Sequence, residues 1–294
     1  MGHIITDLKE AFRRGNVYIQ LIFINVGVFV ITTLIGILLQ LFNRSAAGIF
    51  ELLALPASFT RFAWQPWSIF TYMFMHAGFL HILFNMLWLY WFGALFLYFF
   101  SGKHLRGLYI VGGICGGLLY MISYNVFPYF RPMTAYSTMV GASASVLAIV
   151  VATAYREPNY PVRLLFFGNV RLKYLALIGG LTDLLFITSS NAGGHIAHLG
   201  GALAGLWFAA SLNKGKDITS WVNKALDAIA ALFSAKTWKR KPKMKVHYGN
   251  NTRQNDYDYN ARKKAQSDEI DRILDKLKSL TTEEKKSLFD ASKR

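Results

Sequence analysis

His195-Ile-Ala-His198-Leu-Gly-Gly201-Ala-Leu-Ala-Gly205 is the stretch that decides the fold. It opens an apolar run with two imidazoles and then sets glycines four residues apart. His195 and His198 are i and i+3, so they share one helix face. The pattern His198-x-x-Gly201-x-x-x-Gly205 puts the glycines on a flat face adjoining the histidine, and flat faces let two helices approach closely. A packing seam accounts for the glycines. It does not account for the imidazoles, because a polar side chain inside a bilayer is costly and usually faces the protein interior with a function.

Two further stretches carry the same kind of polar residue at the opening of an apolar run. One is His81-Ile-Leu-Phe-Asn85, with His81 and Asn85 on one helix face at i and i+4. The other is Gly141-Ala-Ser143-Ala-Ser145. The chain of 294 residues is 53% hydrophobic and 15% aromatic. Its mean hydropathy is +0.30. Such a chain is too apolar for an ordinary soluble domain, and the aromatics suit lipid-facing and interfacial belts. Six apolar runs approach the ~20 residues needed to cross a bilayer, at about 18–42, 78–100, 104–127, 142–157, 171–190 and 194–212. The fourth is short and begins with small residues, so its lead-in must be covered by other helices. The connection 43–77 is aromatic-rich and holds Pro56 and Pro66.

The net charge of +16 is distributed along the membrane segments and in the C-terminal tail, which argues against nucleic acid as the partner. One side of the membrane receives Lys9, Arg13, Arg14, Lys103, Arg106, Arg156, Arg163, Arg171, Lys173 and the basic tail; the other receives Arg44, Arg61 and Arg131. The positive-inside rule makes the first side cytoplasmic, with both termini inside. The first apolar run has no clear small-residue cleavage site and reads as an anchor, not a signal peptide. The expected location is the bacterial inner (plasma) membrane, as a multi-pass protein. The single cysteine, Cys115, excludes an internal disulfide and reads as a small buried residue.

In this topology spans two, four and six all run from outside inward. Their polar residues lie within about two helical turns of the outer face, at about 1.5 Å rise per residue. A nucleophile, a base and extra hydrogen-bond donors thus converge on one layer, which suggests hydrolysis inside the membrane. Ser143 sits among small residues that leave room for an approaching carbonyl. Helix-start N–H groups are unpaired and can serve an oxyanion. Ser145 is a rival nucleophile, but it lies about 200° around the helix from Ser143.

These pieces resemble the rhomboid family of intramembrane serine proteases. The matching motifs are His81-Ile-Leu-Phe-Asn85-Met, Gly141-Ala-Ser143-Ala and Ala197-His198-Leu-Gly-Gly201-Ala-Leu-Ala-Gly205, in order, within about Trp64 to Leu212. The resemblance implies an all-α, six-transmembrane-helix bundle. It implies a Ser143–His198 dyad, His81 and Asn85 at the oxyanion together with the Ser143 N–H, and helix packing through Gly201 and Gly205. It makes the 43–77 loop a membrane-surface structure and span five a movable substrate gate. The implied substrates are transmembrane segments cut near the outer face, with small residues favoured at the cut. Only His198 fits the family's His-x-x-Gly-x-x-x-Gly register; His195 is its neighbour. There are departures: Leu147 stands where some members carry an aromatic ring, Ala144 follows the nucleophile in place of glycine, and the first loop's Trp-Arg pair is replaced by Trp67-Ser68.

Asp183 in span five is expected to make a structural hydrogen bond in preference to a third catalytic role, and His76 to serve interfacial structure. No chelating set is expected in the outer layer, and no cofactor or metal. The competing reading is a catalytically silent rhomboid-like chaperone or sorting factor, which the presence of both Ser143 and His198 disfavours. A transporter would want charges along a path through both leaflets. The domain reading is a cytoplasmic N-terminus at 1–17, the membrane domain at 18–213, an amphipathic segment and basic linker at 214–266, and a small helical cytoplasmic module at 267–294. The amphipathic stretch Trp221–Phe233 is expected on the inner membrane surface or beneath the spans. In the module, Ile270, Ile273, Leu274 and Leu277 form a stripe, and Thr281-Thr282-Glu283-Glu284 is a helix-start signature that precedes Leu288 and Phe289. The module's functional reading is docking to a partner.

Overall fold

The computed structural model describes residues 10, 12–13, 15–164, 168–232 and 252–285. The chain divides into two compact units, Met1–Ser234 and Ala235–Arg294.

Among the described residues, four helices of the first unit are long and apolar enough to cross a membrane: α1 (Val17–Leu41), α5 (Phe79–Phe99), α6 (Gly102–Val126) and α9 (Ala192–Asn213). They match the expected spans one, two, three and six to within two residues. Two shorter helices stand in place of the expected spans four and five, α7 (Ser143–Arg156) and α8 (Leu172–Leu185), each of 14 residues. At 1.5 Å per residue such a helix is about 21 Å long, short of a ~30 Å hydrocarbon core. The connection 43–77 forms α2 (Ala47–Leu53), α3 (Phe59–Trp64) and α4 (Ser68–Thr71), which runs into a 3₁₀ turn at Tyr72–Phe74.

The expected all-α class needs one correction. Among the described residues are two short antiparallel ladders, β1 (Leu55–Pro56) with β2 (Thr138–Met139), and β3 (Pro161–Leu164) with β4 (Gly168–Arg171). The first ladder ties the 43–77 loop to the loop that leads into α7. Such backbone cannot be left unpaired where water is scarce, and pairing two loops satisfies it.

α7 is the centre of the unit. Ten of its residues, from Ala144 to Ala154, are buried. Around it glycine removes the side chains that would hold neighbouring helices away. A Cβ on Gly201 or Gly205 of α9 would strike the carbonyl oxygens of Ala144 and Ala148 in α7. On α6, a Cβ at Gly112 or Gly116 would lie 2.6 Å from the Cβ of Ala148 or Ala144. α1 is peripheral by contrast, with only Leu21, Asn25 and Thr32 buried among its 25 residues. Tyrosines of α6 secure the loop layer. The Tyr109 hydroxyl donates to the Met73 carbonyl (2.9 Å) and receives the Asn25 amide of α1 (3.0 Å). The Tyr120 hydroxyl pairs with Ser137 Oγ at 2.7 Å.

α10 (Ser220–Leu232) packs against the start of α6. Asn223 donates to the Lys103 carbonyl (3.0 Å) and accepts from Arg106 Nε (3.0 Å) and Nη2 (2.9 Å). Trp221, Ile229 and Leu232 of this helix are exposed.

In the second unit, α11 (Thr252–Ser279) runs for 28 residues. This corrects the expected linker through residue 266. The segment is polar, but it carries Arg, Lys, Gln and Ala, which are good helix formers. Ile270, Ile273 and Leu274 form an exposed stripe on it. At the next helix start, Glu284 Oε2 accepts from the Thr281 N–H (2.8 Å) and hydroxyl (2.7 Å), realising the expected signature. Leu288 and Phe289 lie outside the described residues.

Candidate active site

Ser143 is the first residue of α7, so its N–H and those of the next residues have no intrahelical acceptor. The chain turns into this helix at Gly141, whose φ of +140° is a conformation that L side chains rarely adopt. The turn is held in place when the Gly141 N–H donates to the Tyr72 carbonyl at 3.0 Å. Below it, the Ala57 N–H donates to the Ser137 carbonyl at 3.0 Å.

The missing side chain of Gly141 matters as much as its backbone. A Cβ there would lie 3.0 Å from His81 Cε1 and Nε2 and 3.5 Å from Ser143 Oγ. The bare glycine therefore lets the His81 ring come up beside the serine. Behind His81, the His76 ring packs edge-on at 5.1 Å between centroids, and His76 is almost fully buried. Burial first and the charge of His81 second push the His76 imidazole down to about 4, so it is neutral at neutral pH. Asn85, one turn below His81, uses one N–H on the His81 carbonyl (2.9 Å) and keeps the other.

Ser143, His81, Asn85, Asp183, Leu147 and His198 line one cavity of about 730 Å³. The three sequence stretches thus meet at one place. His195 lines no part of it. Ser145 is removed as a rival: it is fully buried, and a Cβ on Gly113 of α6 would lie 2.9 Å from its Oγ, so its hydroxyl faces α6 and not the cavity.

Asp183 is where the structure departs most from expectation. The turn at 186–191 folds α9 back on α8, and Asp183 Oδ1 lies 2.8 Å from both His195 Nδ1 and His198 Nδ1. Asp183 is 6% exposed, and two imidazole donors satisfy its carboxylate oxygen. The expected structural hydrogen bond exists, but its partner is the candidate base. The expectation that no chelating set forms here is also corrected, since the donor atoms of Asp183, His195 and His198 lie within 4.8 Å of one another. Their 2.8 Å separations are those of charge-assisted hydrogen bonds. An aspartate in an apolar helix was the available signal. What sequence spacing could not supply was the fold-back that brings position 183 to position 198.

A family model described as the Rhomboid domain matches residues 63–214. Over 158 residues the chain is 29% identical to "RHOMBOID-like protein 12, mitochondrial" of Arabidopsis thaliana, which covers 51% of this chain and 47% of that protein. The chain thus spans about half the length of this curated relative.

Proposed function

Because the chain belongs to the rhomboid family, we propose that it is an intramembrane serine protease that cuts transmembrane segments near the outer membrane face with a Ser143–His198 dyad. One observation carries the reading: a serine at an open helix start and an imidazole held by its Nδ1 line the same cavity. With Nδ1 occupied, Nε2 is the nitrogen available to a serine.

The chemistry follows from those positions. A substrate helix unwinds locally, since a regular helix hides its carbonyls. Ser143 Oγ attacks the carbonyl carbon, and its proton passes to His198 Nε2. The oxyanion takes hydrogen bonds from the Ser143 N–H, His81 and the free N–H of Asn85. His198 returns the proton to the leaving amine. Water then attacks the acyl-enzyme with His198 again as base and releases the acid. The six-span topology, cytoplasmic termini and a bacterial inner (plasma) membrane location belong to this same reading. It rests on the four long apolar helices, the two short ones and the distribution of basic residues.

The test is labelling of the purified protein by a serine-directed fluorophosphonate, beside cleavage of a single-span substrate. Label and cleavage should both vanish in Ser143→Ala while the protein stays folded. No label on the wild-type chain, or label retained in Ser143→Ala, would turn the reading towards a silent rhomboid-like chaperone or sorting factor.

A further inference from the structure

Taking the serine protease reading as given, we infer that Asp183 is a positioning residue for the base: its carboxylate holds His198 in the Nδ1–H tautomer and aims Nε2 at Ser143. The argument is geometric. Asp183 Oδ1 is 2.8 Å from His198 Nδ1. A carboxylate only accepts hydrogen bonds, so the proton between them belongs to the imidazole. A neutral imidazole carries one N–H, and with that on Nδ1 its Nε2 is a bare lone pair. A base acting on Ser143 needs that state.

Leu147, which lines the cavity together with Ser143, Val146 and His198, offers no aromatic face for stacking. The buried carboxylate supplies orientation in its place and also stabilises the imidazolium that forms when the proton arrives. His195 shares the same oxygen at 2.8 Å, and its ring stands nearly perpendicular to that of His198 (84°) with centroids 6.1 Å apart. His195 also lies against Phe186 at 6.0 Å. It thus acts as the second donor that keeps a buried carboxylate satisfied, while His198 alone reaches the cavity.

The experiment compares wild type, Asp183→Asn, Asp183→Glu and His195→Ala in detergent, with Ser143→Ala as the control for the protease reading. Readouts are kcat and KM on one single-span substrate, fluorophosphonate labelling rate, unfolding temperature and the ¹⁵N signals of the His198 ring. Asp183→Asn should lose on the order of 10²-fold or more in kcat and labelling rate, with KM and unfolding temperature unchanged. Asp183→Glu should recover part of the loss, and His195→Ala should stay within about tenfold of wild type, since one oxygen still holds His198. A merely structural aspartate would lower the unfolding temperature and leave the chemistry of the folded fraction intact.

Wild-type kcat in Asp183→Asn overturns the inference and leaves the protease reading standing. Should that variant not fold, the wild-type spectrum decides: a protonated Nδ1 and bare Nε2 on His198 support the inference, and the opposite tautomer overturns it. Failure of the wild type to label or cleave sinks the protease reading instead, and the same spectrum still judges the Asp183–His198 bond.

Discussion

At the scale of single residues, the site works by what surrounds each polar group. His81 reaches the serine because Gly141 has no side chain, and Asn85 keeps one N–H because the His81 carbonyl takes only the other. Both residues should act on the transition state more than on the bound substrate. His81→Ala and Asn85→Ala should each lower kcat by about 10²–10³ with KM nearly constant. A rise in KM at constant kcat would make them substrate-binding groups. Ser143, His198, His81 and Asn85 stood out as candidates in the sequence because a polar residue at the mouth of an apolar run needs a reason, and the preference for His198 over His195 came from the family's glycine register. The contribution of Asp183 did not, because its partner is 15 residues away around a turn whose course no local pattern states. His76 was equally opaque: its neighbour in sequence space is loop, and only the fold shows it against His81.

At the scale of elements, the four long helices α1, α5, α6 and α9 were legible because apolar length alone specifies them. The β1–β2 ladder was not. Two-residue strands have no periodicity, and this pair exists because two loops meet. α11 was misread for the opposite reason, since polar composition suits a linker and an exposed helix alike. The glycine seam gives the element-level prediction. Gly201→Ala should cost about 1–3 kcal/mol or more, because a methyl would collide with the α7 backbone. Gly179→Ala on α8, where nothing lies within 4 Å, should be neutral or stabilise by about 0.5–1 kcal/mol. Unfolding temperatures of the two variants against wild type check this pair, and equal shifts would refute the seam.

At the scale of the whole molecule, every residue assigned to the site lies in the unit Met1–Ser234. A chain ending at residue 239 should therefore cleave a model substrate in detergent at the wild-type rate, within about twofold of the additivity expected of independent parts. Loss of turnover in a folded truncation would assign the tail a gating duty. The glycine seam has a last consequence, and it is mechanical. With α7 and α9 in backbone contact, the proposed nucleophile and base are mounted on one stiff chassis. The loosely seated helix beside them is α8, which buries only Leu172 and Asp183. On the proposed reading, displacement that admits a substrate would fall to α8, and an outward swing would withdraw the Asp183 carboxylate from His198. The proposed site would then be wired as an interlock: an open door disarms the base, and the base is armed only once the door has closed on its substrate.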